Sequence, residues 1–136
     1  MTDVVVVVAL LSVFFFGVAL RRRHTADRHS RAATIELLID DDGVRRRLGD
    51  GRVESARWAE LQSVEVVCTP VRTADGARAF VLLAEGPEAG CLVPLGIGHD
   101  DALVRQLTRL PHLRIEEFVA ATEHKPPRRT IVWQRS

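Results

Sequence analysis

An uncharged apolar block near the N-terminus constrains the fold more than any other feature. Residues 4–20 form a run of 17 residues without a charged side chain. A helix of this length spans roughly 25 Å, close to the thickness of the hydrocarbon core of a bilayer. In lipid a lone segment must satisfy its own backbone hydrogen bonds, which favours a helix despite the many valines. We therefore predict a transmembrane anchor over residues 1–20.

The charges that flank this block predict the orientation of the anchor. Arg21, Arg22 and Arg23 follow it directly, whereas Asp3 is the only charged side chain before it. The positive-inside rule then places the N-terminus outside and the rest of the chain in the cytoplasm. The alternative is a cleaved signal peptide, because residues 17–19 offer a small-x-small cleavage pattern. A secretory signal carries its basic residues before the apolar run, so the anchor is the favoured interpretation.

Residues 21–32 are predicted to form a basic linker beside the membrane. Their net charge is +4, whereas residues 33–136 carry a net charge of −2. Basic side chains near a membrane surface are attracted to anionic lipid by about 1 kcal/mol each. The linker therefore either sets topology alone or also binds anionic lipid, and the sequence leaves both open. The membrane-proximal basic residues are Arg21, Arg22, Arg23, Arg28 and Arg31.

Residues 33–136 show strand patterns first and helix patterns late. Apolar or alternating runs bounded by turn residues predict strands, and apolar residues spaced three and four positions apart predict helices. The predicted strands cover residues 33–39, 44–48, 52–58, 63–69, 78–84, 91–95 and 130–134, and the predicted helices cover 102–110 and 115–122. This order is typical of an α+β domain with a mostly antiparallel bent sheet or small barrel.

Local patterns give three further expectations. The acidic residues 40–42 precede a glycine, which indicates a hairpin turn rather than a metal site, because glycine accepts positive φ. Asp100 or Asp101 is expected to cap the first helix. In the third strand, alternation predicts that Val53 and either Ala56 or Trp58 point inward, with an irregularity between them.

The sequence shows no recognisable catalytic, cofactor or metal motif. The five histidines lack the spacing of metal ligands, and Gly96 and Gly98 lack the third glycine of a dinucleotide-binding loop. Cys68 and Cys91 lie in apolar strands, where a free cysteine is usually a small buried hydrophobe. We therefore expect no catalytic residue, cofactor or metal. The alternative is a small membrane-tethered enzyme that uses one of these cysteines.

Residues 57–66 carry a recognisable pattern in which a tryptophan ends a strand, an acidic turn follows and an alternating strand resumes. With DDGVRRRLGDGRVESARW at 41–58, GCLVPLG at 90–96 and IVWQR at 131–135, the chain resembles bacterial pleckstrin-homology-like (PH-like) domains. More narrowly, it resembles small actinobacterial membrane proteins with one N-terminal span, a basic stop and a PH-like domain. The excess of 18 arginines over one lysine is typical of a GC-rich genome.

This resemblance implies a seven-stranded bent sheet with a C-terminal helix, used to bind lipids, peptides or partner domains rather than for catalysis. Members that bind phosphoinositides carry clustered lysine and arginine on the first loop, where this chain has three aspartates. The sequence thus predicts a single-pass protein of the bacterial plasma membrane whose cytoplasmic domain, residues 33–136, binds a protein partner. Sensing of anionic lipid is the alternative function. The negative net charge of the domain argues against nucleic acid.

Overall fold

The computed structural model describes residues 33–70 and 73–136. The predicted anchor and linker, residues 1–32, lie outside the described residues. Within the described ranges, no helix combines the length and hydropathy needed to span a bilayer.

The described residues form seven strands and two α-helices, which alternate with short turns. Trp58–Glu60 is a single 3₁₀ turn between the third and fourth strands. The strands are β1 (Thr34–Ile39), β2 (Gly43–Leu48), β3 (Val53–Arg57), β4 (Ser63–Cys68), β5 (Ala79–Ala84), β6 (Gly90–Pro94) and β7 (Arg128–Gln134), and the helices are α1 (Asp100–Leu107) and α2 (Ile115–Thr122).

The strands form two antiparallel sheets. One has three strands in the order β1-β2-β3, and the other has four strands in the order β6-β5-β4-β7. This confirms the predicted α+β class with a mostly antiparallel arrangement. The PH-like resemblance implies a C-terminal helix, whereas here both helices precede β7 and the described chain ends on a strand.

The main core lies between the two sheets and the helices. β4 is buried along its whole length because β5 and β7 flank it on either side. Its alternate side chains, Val64 and Val66, face a cluster to which α1 contributes Leu103 and α2 contributes Phe118. A second, smaller cluster on the opposite face of the same sheet consists of Val67, Ala77, Phe80 and Leu92.

The prediction that Val53 points inward is wrong. Val53 is 50% exposed, and the buried residues of β3 are Glu54 and Ala56. In the β2–β3 register Glu54 lies opposite Arg46, which is fully buried. A buried guanidinium requires a carboxylate partner, so the charged pair rather than the valine occupies the interior. Trp58 lies beyond the strand and is half-buried.

Most strand boundaries differ from the prediction by one residue, and the first helix and the last strand differ by two or three residues. α1 begins at Asp100 and ends at Leu107 rather than at residue 110, and its N-cap residue is His99. Asp100 does not cap the helix, because its carboxylate accepts a hydrogen bond from the backbone N–H of Gly96 at 2.9 Å. β7 starts at Arg128, two residues before the predicted start, since this residue pairs with Cys68 on β4.

Candidate binding face on the three-stranded sheet

One side of the β1-β2-β3 sheet points away from the core, and its side chains are exposed. The strand register forms two rows across the sheet, Glu36–Arg47–Val53 and Leu38–Arg45–Ser55. Beyond these rows, Arg57 of β3 lies opposite Gly43 of β2. We call this surface the outer face. Its members are Glu36, Leu38, Gly43, Arg45, Arg47, Val53, Ser55 and Arg57.

The outer face holds a shallow cavity of about 280 Å³ near the β1–β2 turn. Its lining includes Leu38, Arg45, Ser55 and Arg57, together with Asp40 and Asp42 of the turn. Its lining includes Gly43, where an added Cβ atom would lie 2.2 Å from the carbonyl oxygen of Ala56 on β3. Glycine is therefore required here by the close approach of β3. This corrects the expectation of a positive φ, which the described structure places at other glycines.

The arginines of the outer face differ in their partners. Arg47 forms an ion pair with Glu36 at 3.1 Å, and both side chains are about half exposed. Within the described residues, Arg45 and Arg57 have no ion pair. Both residues line the cavity. Asp40 and Asp42 belong to the same lining, so its formal charges balance.

Two aspartates of the β1–β2 turn accept hydrogen bonds, Asp40 within the turn and Asp41 from residues near the end of α1. The Oδ1 atom of Asp40 accepts hydrogen bonds from the backbone N–H groups of Asp42 and Gly43, at 2.9 and 3.0 Å. Asp41 accepts hydrogen bonds from Gln106 and Arg109 near the end of α1. The Gln106 hydrogen bond and the Arg109 charge lower the pKa of the Asp41 carboxyl. This acidic turn therefore closes a hairpin and ties α1 to it.

The same sheet also exposes apolar side chains. Ile35 and Leu38 on β1 are 59% and 51% exposed, and Val53 on β3 is 50% exposed. β1 pairs with β2 on one side only, so its other edge is open among the described residues. An open strand edge with exposed apolar side chains is a surface suited to another polypeptide chain.

A buried ion network supports the sheet from behind. Arg46 is fully buried between the outer-face residues Arg45 and Arg47, because successive side chains of a strand point to opposite faces. Its Nη1 lies 3.3 Å from Glu54, and its Nη2 lies 2.9 Å from Asp75 in the loop that follows β4. Its Nε donates to the hydroxyl oxygen of Thr34 at 2.6 Å. We call these four residues, Thr34, Arg46, Glu54 and Asp75, the arginine clamp.

The arginine clamp joins the two sheets. Glu54 also accepts a hydrogen bond from the backbone N–H of Leu92 on β6, at 3.0 Å. This carboxylate satisfies a donor at the free edge of the four-stranded sheet. Asp75 further accepts hydrogen bonds from the backbone N–H and the hydroxyl of Thr34, the first residue of β1. Sequence patterns did not indicate Glu54 or Asp75, because the contacts join segments that lie far apart in the chain.

Both cysteines are free and buried, as predicted. Burial, followed by the negative charge of Glu54, raises the pKa of the Cys91 thiol far above its usual range. Burial also raises the pKa of Cys68, whose thiol donates to the carbonyl oxygen of Ala121 at 3.4 Å. A nucleophilic cysteine needs an exposed thiol with a lowered pKa, and neither residue has this environment.

Both tryptophans serve the fold. Trp133 is buried, and its Nε1 donates to the carbonyl oxygen of Pro111 at 2.8 Å. The Nε1 of Trp58 donates to the carbonyl oxygen of Asp40 at 2.8 Å. Its ring packs against the main core from the 3₁₀ turn. Trp58 therefore holds the hairpin that forms one end of the cavity.

The other residues considered in the sequence do not extend this site. The basic residues proposed to lie beside the membrane fall outside the described residues. Among residues 33–70 and 73–136, no group of three histidine, cysteine, aspartate or glutamate side chains is placed to hold a metal ion.

Comparison of the chain with protein family models, with curated proteins and with solved structures gives no match. Function is therefore inferred from the outer face and from the residues that support it.

Proposed function

We propose that this chain is a single-pass protein of the bacterial plasma membrane, with its N-terminus outside, whose cytoplasmic domain is a non-catalytic module that binds a protein partner. The observation that carries the proposal is the outer face of the three-stranded sheet. It combines exposed apolar side chains, two arginines without ion pairs and an adjacent open strand edge. Apolar patches surrounded by polar residues mark interaction surfaces on small domains.

The dimensions of the cavity favour a macromolecular partner. Sites for drug-sized ligands usually enclose about 300–1,000 Å³ and bury most of the ligand. The cavity here measures about 280 Å³ and is open to solvent. It is therefore suited to one or two side chains of a larger partner rather than to a whole small molecule.

The proposed anchor would keep the domain near the membrane. Residues 21–33 can extend over at most about 45 Å, at about 3.5 Å per residue. A partner at the same membrane surface would then meet the outer face at a raised effective concentration. Reporter fusions to each end of the full chain test the orientation. A C-terminal fusion active only outside the cytoplasm would contradict it.

We also propose a PH-like architecture for residues 33–136. Seven antiparallel strands in two sheets with covering helices support it. The position of both helices before β7 departs from the expected order. An experimental structure of the full chain in a membrane mimetic tests this proposal through the strand order and the placement of the last strand.

In-cell crosslinking tests the binding function. A photoreactive amino acid replaces Leu38 on the outer face, and in a matched control it replaces Val119 on α2. These side chains are 51% and 48% exposed. We expect a discrete crosslinked protein from position 38 and none from position 119. Equal products from both positions, or none from position 38, would contradict a partner on the outer face.

A second candidate function, binding of anionic lipid by the linker, is supported by the net charge of +4 over residues 21–32. The test compares liposome binding by the parent chain with binding by a variant whose linker arginines are neutralised. The parent chain should bind more tightly to anionic than to neutral liposomes, and this binding should fall with added salt. Binding that changes with neither lipid charge nor salt would exclude the lipid function.

A further inference from the structure

We infer that the open edge of β1 pairs with β1 of a second copy of this chain. The two strands run antiparallel about a two-fold axis at Leu37, and the two three-stranded sheets become one sheet of six strands. This contact joins identical chains, so it goes beyond the proposed binding of a different protein.

The backbone of β1 directs hydrogen-bonding groups to its open edge at Leu37 and Ile39. The N–H of Asp40 donates to the carbonyl oxygen of Gly43 at 3.0 Å, so the first pair beside the turn is hydrogen-bonded. Hydrogen-bonded and non-hydrogen-bonded pairs alternate along an antiparallel ladder, so Leu38 also bonds to β2, and the N–H and C=O groups of its two neighbours point the other way. Among the described residues no strand lies on that side. An edge of this kind is completed by pairing with another strand.

The alternation limits the ways in which two such edges can pair. About a two-fold axis, Leu37 lies opposite Leu37, Leu37 lies opposite Ile39, or Ile39 lies opposite Ile39. The first register overlaps residues 35–39 of both strands, and the other two overlap over shorter stretches. The second register also sets Glu36 opposite Asp40, and like charges directly opposite each other destabilise a sheet. The first register is therefore the one that we assign.

The two rows of the outer face complement each other in charge. In one row Glu36 forms an ion pair with Arg47 at 3.1 Å, whereas in the other Arg45 lies beside Leu38 and has no ion pair among the described residues. The two-fold axis aligns each row with the opposite row of the second copy. The order across the joined sheet becomes Arg45–Leu38–Glu36–Arg47, with the last two residues from the second copy.

This order gives each unpaired arginine a carboxylate. Arg45 and Glu36 of the second copy lie two strands apart, about 10 Å between Cα atoms, which the two long side chains can span. Each Glu36 carboxylate then lies between its own Arg47 and the Arg45 of the other copy. A second copy supplies both carboxylates by symmetry, and this charge complementarity selects it as the occupant of the edge.

The same contact covers apolar side chains that are otherwise in water. Ile35 and Leu38 are each more than half exposed. In the joined sheet Leu38 lies opposite Glu36 of the second copy, whose aliphatic carbons cover it, and Ile35 lies opposite Ile39. Cross-strand neighbours of this kind stabilise a sheet.

The proposed anchor favours this pairing although the contact is small. The linkers leave from the two Thr34 residues, which lie six residue steps apart along the joined strands, about 20 Å. Each linker can extend over at most about 45 Å, so both reach one membrane surface. Two copies confined to that surface meet at a raised effective concentration.

Disulfide crosslinking of the full chain in its membrane tests the pairing. Two tagged copies are expressed together, one with Glu36→Cys and the other with Leu38→Cys, and a mild oxidant is added. Cβ atoms of directly opposite residues lie about 4.5–5.5 Å apart, close to disulfide geometry. The native cysteines are buried, so the introduced thiols form the crosslink. We expect about 10-fold more dimer than from two Leu38→Cys copies, whose thiols lie out of register.

Two controls test the edge and the charges separately. Val53→Cys with Ser55→Cys occupies the same two rows on β3, at the other side of the sheet, and should give little dimer. Added to the crosslinking pair, Arg45→Gln should lower the yield by about 3-fold, as for the loss of an exposed ion pair. Arg57→Gln removes an arginine outside both rows and should leave the yield unchanged.

Each contrary result would overturn the inference. Equal yields from the β1 and β3 pairs would indicate random collision in the membrane, and more dimer from two Leu38→Cys copies would indicate another register. Equal effects of Arg45→Gln and Arg57→Gln would remove the charge complementarity. A photocrosslink from position 38 to a different protein, without the disulfide dimer, would support the proposed function and overturn the inference. A photocrosslinked product of twice the chain mass would support the inference.

Discussion

Replacement of Arg46 by methionine should destabilise the domain strongly. Methionine keeps much of the side-chain length but removes the positive charge that lies 3.3 Å from Glu54 and 2.9 Å from Asp75. Both carboxylate side chains are nearly fully buried, at 4% and 3% exposure. After the substitution both buried carboxylates would lose this ion pair.

The expected loss follows from the burial of the pair. Removing one partner of a buried ion pair costs about 3–5 kcal/mol, because the remaining charge is desolvated and uncompensated. A domain of this size is stable by about 5–15 kcal/mol, so Arg46→Met removes a large share of that free energy. At an m-value of about 1.5 kcal/mol per M, the urea midpoint falls by roughly 2–3 M.

The matched control is Arg47→Met, one residue along the same strand. Arg47 forms an exposed ion pair with Glu36, and such pairs contribute at most about 1 kcal/mol. Urea unfolding of the full chain in detergent micelles, followed by tryptophan fluorescence, measures both variants. The chain has two tryptophans, Trp58 and Trp133, and both lie in the described domain.

A third variant separates lost charge compensation from lost packing. Arg46→Met combined with Glu54→Gln and Asp75→Asn removes the buried negative charges, so it should be more stable than Arg46→Met alone. If Arg46→Met unfolds within about 1 kcal/mol of the parent chain, the arginine clamp does not hold the sheets together. A triple variant no more stable than the single variant would refute the electrostatic reasoning.

Three further predictions concern Gly43 in the β1–β2 turn, the two cysteine thiols, and the hydrogen bonds that join Asp41 to Gln106 and Arg109. Gly43→Ala should cost about 1–3 kcal/mol in urea unfolding, because the new methyl group would press against β3, whereas Gly86→Ala should be near neutral since no atom lies within 4 Å. Cys68 and Cys91 should react with a thiol reagent at neutral pH only after unfolding, and fast labelling of the native chain would contradict their burial. NMR titration should give Asp41 a pKa below its ordinary value of 3.8. Its contacts with Gln106 and Arg109 then stabilise the fold above pH 3.8, and this contribution is lost as the pH falls through the lowered pKa. A pKa at or above 3.8 would contradict these contacts.

The strand pattern could be predicted from the sequence because it is local. Apolar runs such as residues 79–84, bounded by turn residues, give a strand whatever their partners are. The helix 115–122 was predicted with its observed bounds, since its apolar positions repeat at three and four residues. The pairing of β4 with β7 could not be predicted in this way. It joins residues 60 or more positions apart in the chain, and register depends on both strands.

The arginine clamp was beyond local patterns for a different reason. Alternation assigns apolar residues to the interior, and β3 offers Val53 as the apparent inward residue. The register reverses this assignment, because Glu54 must lie opposite the buried Arg46. The third member, Asp75, comes from a loop 29 positions away from Arg46. The sequence prediction depends on the rule that apolar residues of a strand point inward. A buried polar network breaks this rule, and only its tertiary contacts make its burial favourable.

The three consecutive arginines of β2 have three different environments because strand geometry directs their side chains differently. Alternation directs Arg46 into the clamp and its two neighbours to the outer face. On that face, a carboxylate in the next strand pairs with Arg47, whereas leucine and serine flank Arg45. A shift of the β1–β2 register by one residue would bury two arginines and expose the third, leaving two guanidinium groups in the interior without carboxylates. The clamp therefore fixes the register, and the register in turn leaves Arg45 available beside the cavity.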